Sequence, residues 1–332
     1  MAYGRTNAAG GMLLGKWKFL SVAALPAAVA KNTVLAVTDT TPTSIVLAET
    51  TPETPAEGML WFLVYDPTDG MMLSGCTVPF RMGGAYQYVS GAWVQRDAYY
   101  TYLDTWRAVP GLPPVGVTLA DCTWTQIHRI AAAGRAADYF CIGDEKQIAL
   151  STSEVVTLQI VGFDHDDLSA AGGGKAPITL CFQNALNAVQ GMNASGTNTG
   201  GYSGSTLYPT VNGALYGALP SELRAVMQNV HKLTSAGGQS ASIVTTQEKL
   251  FLLSEVEVFG ACSYAKAGEG TQYAFFTNGG ARAKTVNGTA GAWWLRSPYG
   301  AGTAYYCAVT AAGGVTNLNA NVTAGVALAL CV

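Results

Sequence analysis

The sequence predicts an α+β fold in which a mostly β N-terminal module precedes a domain of few helices and many short strands. Three observations carry this. Helix signals gather between residues 123 and 230, while the rest of the chain breaks into short β-type runs. Glycine is frequent, at 39 of 332 residues, and charged residues are only 12%, about half the usual share. Apolar residues reach 49%, enough for a real core and too many for a disordered chain. Such a composition suits a loop-rich or β-rich protein that persists in an assembly or at a surface.

Along the chain, residues 34–37 and 44–47 read as short strands, and Thr50-Thr51-Pro52-Glu53-Thr54-Pro55 reads as an exposed loop. The apolar run 59–65 closes on the turn Asp66-Pro67-Thr68-Asp69-Gly70. Runs 86–89, 93–95 and 99–103 are aromatic strands of a β-meander, the first two separated by Ser90-Gly91-Ala92. Val109-Pro110-Gly111-Leu112-Pro113-Pro114 marks a linker, so the modules divide as 1–112 and 113–332. Next, Thr123-Trp124-Thr125-Gln126 is a capping box ahead of Ile127, Ile130 and Ala131 at helical spacing. Residues 148–150 and 155–163 form a hairpin around Ser151-Thr152-Ser153-Glu154, and 178–189 is expected to be a second helix. Residues 193–206 are a Gly/Ser/Thr/Asn loop. Pro220-Ser221-Glu222 caps a third helix carrying Leu223, Val226, Met227 and Val230. Residues 249–259 are expected to be strand, with Glu255-Val256-Glu257-Val258 alternating, and 326–332 is a buried terminal strand.

Several functions are disfavoured. A net charge of −3 with 18 basic residues leaves no electrostatic footprint for nucleic acid. The longest uninterrupted apolar run near the N-terminus, 19–25, is far short of the roughly 20 residues that span a bilayer, and Lys16, Lys18 and Pro26 flank it. A signal peptide starting at Arg5 is the rival reading of that stretch, but residues 2–11 are longer and more polar than a basic n-region. The cysteines, Cys76, Cys122, Cys141, Cys181, Cys262, Cys307 and Cys331, are far apart and form no C-x-x-C pair. An odd count at wide spacing fits reduced, core-packing thiols and folding in a cytosol.

Signals for catalysis are weak. Phe163-Asp164-His165-Asp166-Asp167 is the densest polar cluster; it is read either as carboxylates for a divalent cation or as a hairpin end bonding its own loop. His128 and His231 are expected on helices, and no G-x-S-x-G elbow occurs. Gly172-Gly173-Gly174-Lys175-Ala176 lacks the first glycine and the terminal Ser/Thr of a phosphate loop and reads as a turn. No enzymatic activity, cofactor or metal is expected.

The C-terminus is more informative. In Trp293-Trp294-Leu295-Arg296-Ser297-Pro298 the adjacent tryptophans point to opposite faces of a strand, and Arg296 offers a planar donor fork for loop carbonyls. The 36 residues after Arg296 contain no charged residue and no Gln, Met or Trp. A buried strand set explains this. So does a genetic cause: Asn codons altered only at adenines in their first two positions cannot give Lys, Glu, Gln, Met or Trp.

Residues 123–332 resemble a domain found in bacteria and their phages. The shared motifs are the Trp124 to Ile127 helix start, Gly162-Phe163-Asp164-His165-Asp166, the run 245–260, Gly268-Glu269-Gly270-Thr271-Gln272-Tyr273, the hexapeptide 293–298, and Gly325-Val326 with Cys331-Val332. Such domains are similar to the C-type-lectin-like fold of variable proteins from diversity-generating retroelements, in which a reverse transcriptase rewrites a C-terminal repeat at adenines. Residues 200–207 depart from the pattern, since relatives often carry a Trp and an Arg there. The E-P-N and W-N-D triplets of calcium-dependent sugar-binding lectins are absent.

The resemblance implies a phage tail-tip or fibre protein that attaches to a host cell-surface protein or glycan. Its binding face is expected at Tyr299, Ala301, Thr303, Tyr305, Tyr306, Ala308, Thr310, Asn317, Asn319 and Asn321, with Trp293, Trp294, Arg296 and Pro298 as scaffold. Tyr suits such a face through large contact area at low entropy cost, and Asn through adaptable hydrogen bonding. Expected partners are further copies of the chain, as a trimer held by the N-terminal module, and other tail proteins. Nucleic acid and membrane insertion are not expected. The expected location is the virion, after folding in the host cytoplasm. The alternatives are a bacterial surface adhesin and a formylglycine-generating-type oxidase, which would need Cys307 and Cys331 as a productive pair.

Overall fold

The computed structural model describes residues 5–6, 12–13, 16–20, 33–38, 42–48, 50–64, 82–102, 105–108, 111–113, 117–170 and 172–332. The Asp66–Gly70 turn, Cys76, most of the apolar N-terminal stretch and parts of the 109–114 linker lie outside them. The chain divides into two compact units, Met1–Val117 and Thr118–Val332. It is mostly β-sheet with some helix. Among the described residues no helix is long and apolar enough to cross a membrane.

The N-terminal unit holds two four-stranded sheets. One orders Thr105–Ala108, Ala98–Tyr102, Thr33–Val37 and Lys16–Leu20, the last two parallel. The other orders Ser44–Ala48, Met59–Val64, Met82–Val89 and Ala92–Arg96, with the first pair parallel. Of the expected meander, the strands holding 86–89 and 93–95 pair as antiparallel neighbours, but the third, Ala98–Tyr102, joins the other sheet between Thr33–Val37 and Thr105–Ala108. Ser90 and Gly91 have φ of 53° and 84°, the two positive values that a two-residue hairpin turn requires. Leu60, Trp61, Phe62 and Leu63 are all fully buried, and Trp61 stacks on Tyr86 at 4.9 Å.

The second unit opens with helix Trp124–Ala132, whose capping box forms in both directions between Thr123 and Gln126. Its main sheet is antiparallel, in the order Glu145–Ala149, Val155–Phe163, Ile178–Phe182, Ala329–Cys331 and Leu250–Phe251. The first two strands are the predicted hairpin, and the strand expected at 326–332 lies deep in the sheet with every residue of 326–332 buried. Three expectations are corrected. Residues 178–182 form a strand with all five residues buried; a short apolar run covered on both faces has no periodicity to separate it from helix. Glu255–Phe259 is helix, because Ser254 and Glu257 make a second reciprocal capping box and Gly260, at φ 76°, ends the turn. The third predicted helix stops at Val226, and Val230–Ser235 is a strand, which moves His231 from helix to strand.

A three-stranded antiparallel sheet joins Trp293–Pro298, Tyr305–Val309 and Val315–Asn319. Trp293 and Trp294 are both fully buried. Their indole N–H groups leave in different directions, to the Arg282 carbonyl at 2.9 Å and the Gln190 carbonyl at 2.8 Å. Trp294→Ala is therefore expected to cost about 3–5 kcal/mol, read as a lower urea midpoint with an unchanged m-value.

Candidate functional site

Beneath the terminal sheet lies a chain of four buried charges. Arg296, fully buried, grips Glu257 bidentately at 2.5 and 2.8 Å. Its remaining donors reach the carbonyls of Leu233, Leu252 and Glu269 at 2.8–3.3 Å, so the donor fork does tie loop carbonyls together. Lys232 donates to Glu257 and Asp166, each at 2.6 Å. Asp166 also accepts from Thr179 at 2.6 Å and Tyr273 at 2.9 Å. Two cations and two anions thus cancel in the interior. Burial alone would raise both carboxyls, but the Lys232 charge holds Asp166, and Arg296 and Lys232 hold Glu257, below the ordinary carboxylate range.

Asp164 makes the turn at φ 47°, and Asp166 faces inward to Lys232 rather than to its own loop. Among the described residues no group of three His, Cys, Asp or Glu side chains could hold a metal ion. Gly172, Gly173 and Gly174 all have positive φ and form a turn, closed by an exposed Lys175–Asp167 pair at 2.7 Å. A cleft of about 430 Å³ lies over the network, lined by His165, Asp167, Lys175, His231, Leu233 and Thr271. The His165 ring lies 4.0 Å from that of Tyr273, and burial lowers its pKa against the pull of Asp166 and Glu257.

The two thiols of the oxidase alternative lie in different surroundings. Cys307 donates to Glu255 at 3.3 Å, whereas Cys331 donates to Asp166 at 3.4 Å. Burial pushes both well above the ordinary thiol value, away from the reactive thiolate.

The expected binding face is only partly a surface. Ala301, Thr303, Tyr305 and Asn321 are exposed, and Tyr299, Thr310, Asn317 and Asn319 are half-buried. Tyr306 and Ala308 are fully buried, and both leave the set. The Tyr306 hydroxyl donates inward to the Gly201 carbonyl at 2.8 Å, and Ala308 sits in the middle strand between Trp294 and Thr316.

What shapes the face is Asn198, which the sequence placed in an unremarked loop. It is fully buried. Its amide donates to the carbonyls of Gly302 and Tyr305 at 2.8 Å and of Tyr299 at 3.3 Å, and its N–H donates to the Thr303 carbonyl at 2.6 Å. Its side-chain oxygen accepts from the Gly238 N–H at 2.8 Å. Gly237, at φ 70°, is obligatory here, since a Cβ would stand 1.7 Å from the Asn198 carbonyl oxygen. A second brace comes from residues 263–265, whose N–H groups all point at the buried Glu255 carboxylate. From there the Tyr264 carbonyl accepts from Gly300 N–H at 2.7 Å, and the Tyr264 ring lies 5.8 Å from Tyr299. Tyr264 extends the aromatic part of the face from outside the expected segment.

Residues 178–332 match a family described as a domain of unknown function, DUF6273. No curated protein and no solved structure matches the chain. The family match begins at the central Ile178–Phe182 strand and takes in Lys232, Glu257 and Arg296 of the charge network, both braces and the 299–321 segment, whereas Asp166 lies before it.

Lys232→Met should destabilise by about 3–5 kcal/mol, because it leaves Asp166 buried without its cation. Adding Asp166→Leu should recover part of the loss. Denaturant unfolding of the single and double variants measures both.

Proposed function

We propose that this chain is a receptor-binding protein of a phage tail tip or fibre, whose C-type-lectin-like C-terminal domain belongs to the variable-protein class of diversity-generating retroelements. Attachment to a host surface protein or glycan proceeds by surface complementarity, with no chemical step. The N-terminal module assembles copies into a trimer, which compensates for weak single faces through avidity.

One observation carries the reading. The loop 299–305 is held through its main chain: Asn198 bonds four of its backbone carbonyls, Tyr264 accepts from the Gly300 N–H, and the Tyr299 N–H closes on the Tyr305 carbonyl at 3.0 Å. Bonds of this kind do not depend on which side chains the loop carries. A surface rewritten repeatedly in sequence needs that independence, and the side chains it presents are Tyr, Thr and Ala, with Asn317, Asn319 and Asn321 beside them.

The test is a quadruple variant, Thr303→Ala, Tyr305→Ser, Asn317→Ser and Asn321→Ser. Each change should shift stability by about 0.5 kcal/mol or less, so thermal unfolding should stay near the parent while host-cell attachment is lost. Unfolding as severe as that of Trp294→Ala would make these positions core and end the reading. Light scattering of the full chain at micromolar concentration should give a trimer mass; a monomer would remove the avidity argument.

A further inference from the structure

We infer that Glu269 is a positioning residue that couples protonation to the pose of the 299–305 loop, and so makes attachment depend on pH; the attachment half rests on the face reading above. The geometry is a junction. The Glu269 carboxylate is fully buried, and its two oxygens hold the two braces of the loop. One oxygen accepts from the Ser235 N–H at 2.7 Å. Ser235 begins the turn in which the Gly237 N–H donates to its hydroxyl at 3.2 Å and the Gly238 N–H donates to Asn198. The other oxygen accepts from the Ser297 hydroxyl, which accepts from the Glu255 N–H at 2.9 Å. Glu255 in turn gathers the 263–265 amides behind Gly300. Both routes to the loop thus pass through one carboxyl group.

Among the described residues no cation forms an ion pair with that carboxyl. The Arg296 guanidinium nearby is committed bidentately to Glu257 and gives Glu269 only its backbone contact, at 3.0 Å. The facing groups are Arg296 on the terminal sheet, Glu257 on the Glu255–Phe259 helix, and the thiols of Cys262 and Cys307, both of which feel the Glu269 charge. Burial pushes Glu269 up to about 7, against the Ser297 and Ser235 hydrogen bonds and the Arg296 charge. Access is close at hand: Gly268 and Gly270, on either side, are exposed, line the cleft over the charge network and have φ of 99° and 113°. Two glycines in the left-handed region make a hinge around the buried side chain.

The sign follows from linkage. Opening the hinge to water returns Glu269 toward the ordinary 4.5, so the closed form binds the proton more tightly than the open form. Opening therefore becomes easier as pH rises from roughly 4.5 to 7 and levels off above that. At low pH the carboxyl is neutral and the closed form is favoured.

Hydrogen exchange on the full chain tests this, with rates corrected for the intrinsic pH dependence, at pH 5, 6, 7 and 8. Protection of peptides covering 197–203, 235–240 and 299–305 should fall on the order of 100-fold between pH 5 and 7, then level off. Peptides of the Ile178–Phe182 strand should not follow, and Glu269→Gln should flatten the profile. A flat parent profile overturns the inference, as does a slope that survives in Glu269→Gln, which would assign it to another group. If Glu269→Gln does not fold, carbon-13 titration of the parent's Glu269 carboxyl decides: a midpoint at the ordinary glutamate value overturns the proposal. Host-cell attachment is measured over the same range. Attachment that falls with protection supports both halves; protection that titrates while attachment stays constant keeps the coupling and overturns the attachment half.

Discussion

Burying a guanidinium is the constraint from which the rest of the second unit follows. An ion in a protein interior costs several kcal/mol unless its charge and all its donors are met. Arg296 meets that demand with one carboxylate and three carbonyls, drawn from the Val230–Ser235 strand, the 250–254 segment, the Glu255–Phe259 helix and the 268–270 segment. Those segments are fixed relative to the terminal sheet because each supplies an acceptor to the same planar fork. Glu257 then needs Lys232, and Lys232 needs Asp166, so the constraint runs on to the main sheet. Buried ion networks often contribute no more net stability than apolar packing of the same volume, but breaking one is costly, which disfavours other registers of these segments.

Local signals were legible and distant ones were not. The Thr123–Gln126 capping box needs only four residues of sequence, and it is present as read. The same signal, Ser254-x-x-Glu257, stood in the chain with Gly260 after it, but the Glu/Val alternation competed with it and pointed to strand. Ile178–Phe182 failed for a different reason, since a strand covered on both faces carries no pattern at all. The charge network was out of reach: Lys232 lies 66 residues from Asp166, and Arg296 lies 39 from Glu257. Nothing local marks such partners, although an Arg and two Glu in apolar surroundings signal that partners exist.

At the expected face, the structure decides which side chains point outward. Strict alternation would send Tyr305 out, Tyr306 in, Cys307 out and Ala308 in. Tyr306 and Ala308 follow that alternation inward, and burial extends to Cys307 and Val309 because the middle strand of the sheet is covered on both sides there. Tyr306 and Ala308 were thus lost to the interior, and Tyr264 and Asn198 entered from segments 35 and 101 residues before Tyr299. The expected face and the bonds that hold it come from three stretches of chain, only one of which lies in 299–321.

The position of the Ala329–Cys331 strand has a consequence for inheritance. It follows the face in the chain, yet it pairs in the sheet between Ile178–Phe182 and Leu250–Phe251. A frameshift or premature stop arising anywhere in 299–323 deletes or scrambles this strand and leaves two neighbouring strands with open edges. The expected loss in such a copy is of the sheet itself rather than of the surface alone. If 299–323 is the rewritten segment proposed above, the sheet would pass substitutions there and reject frameshifts and truncations.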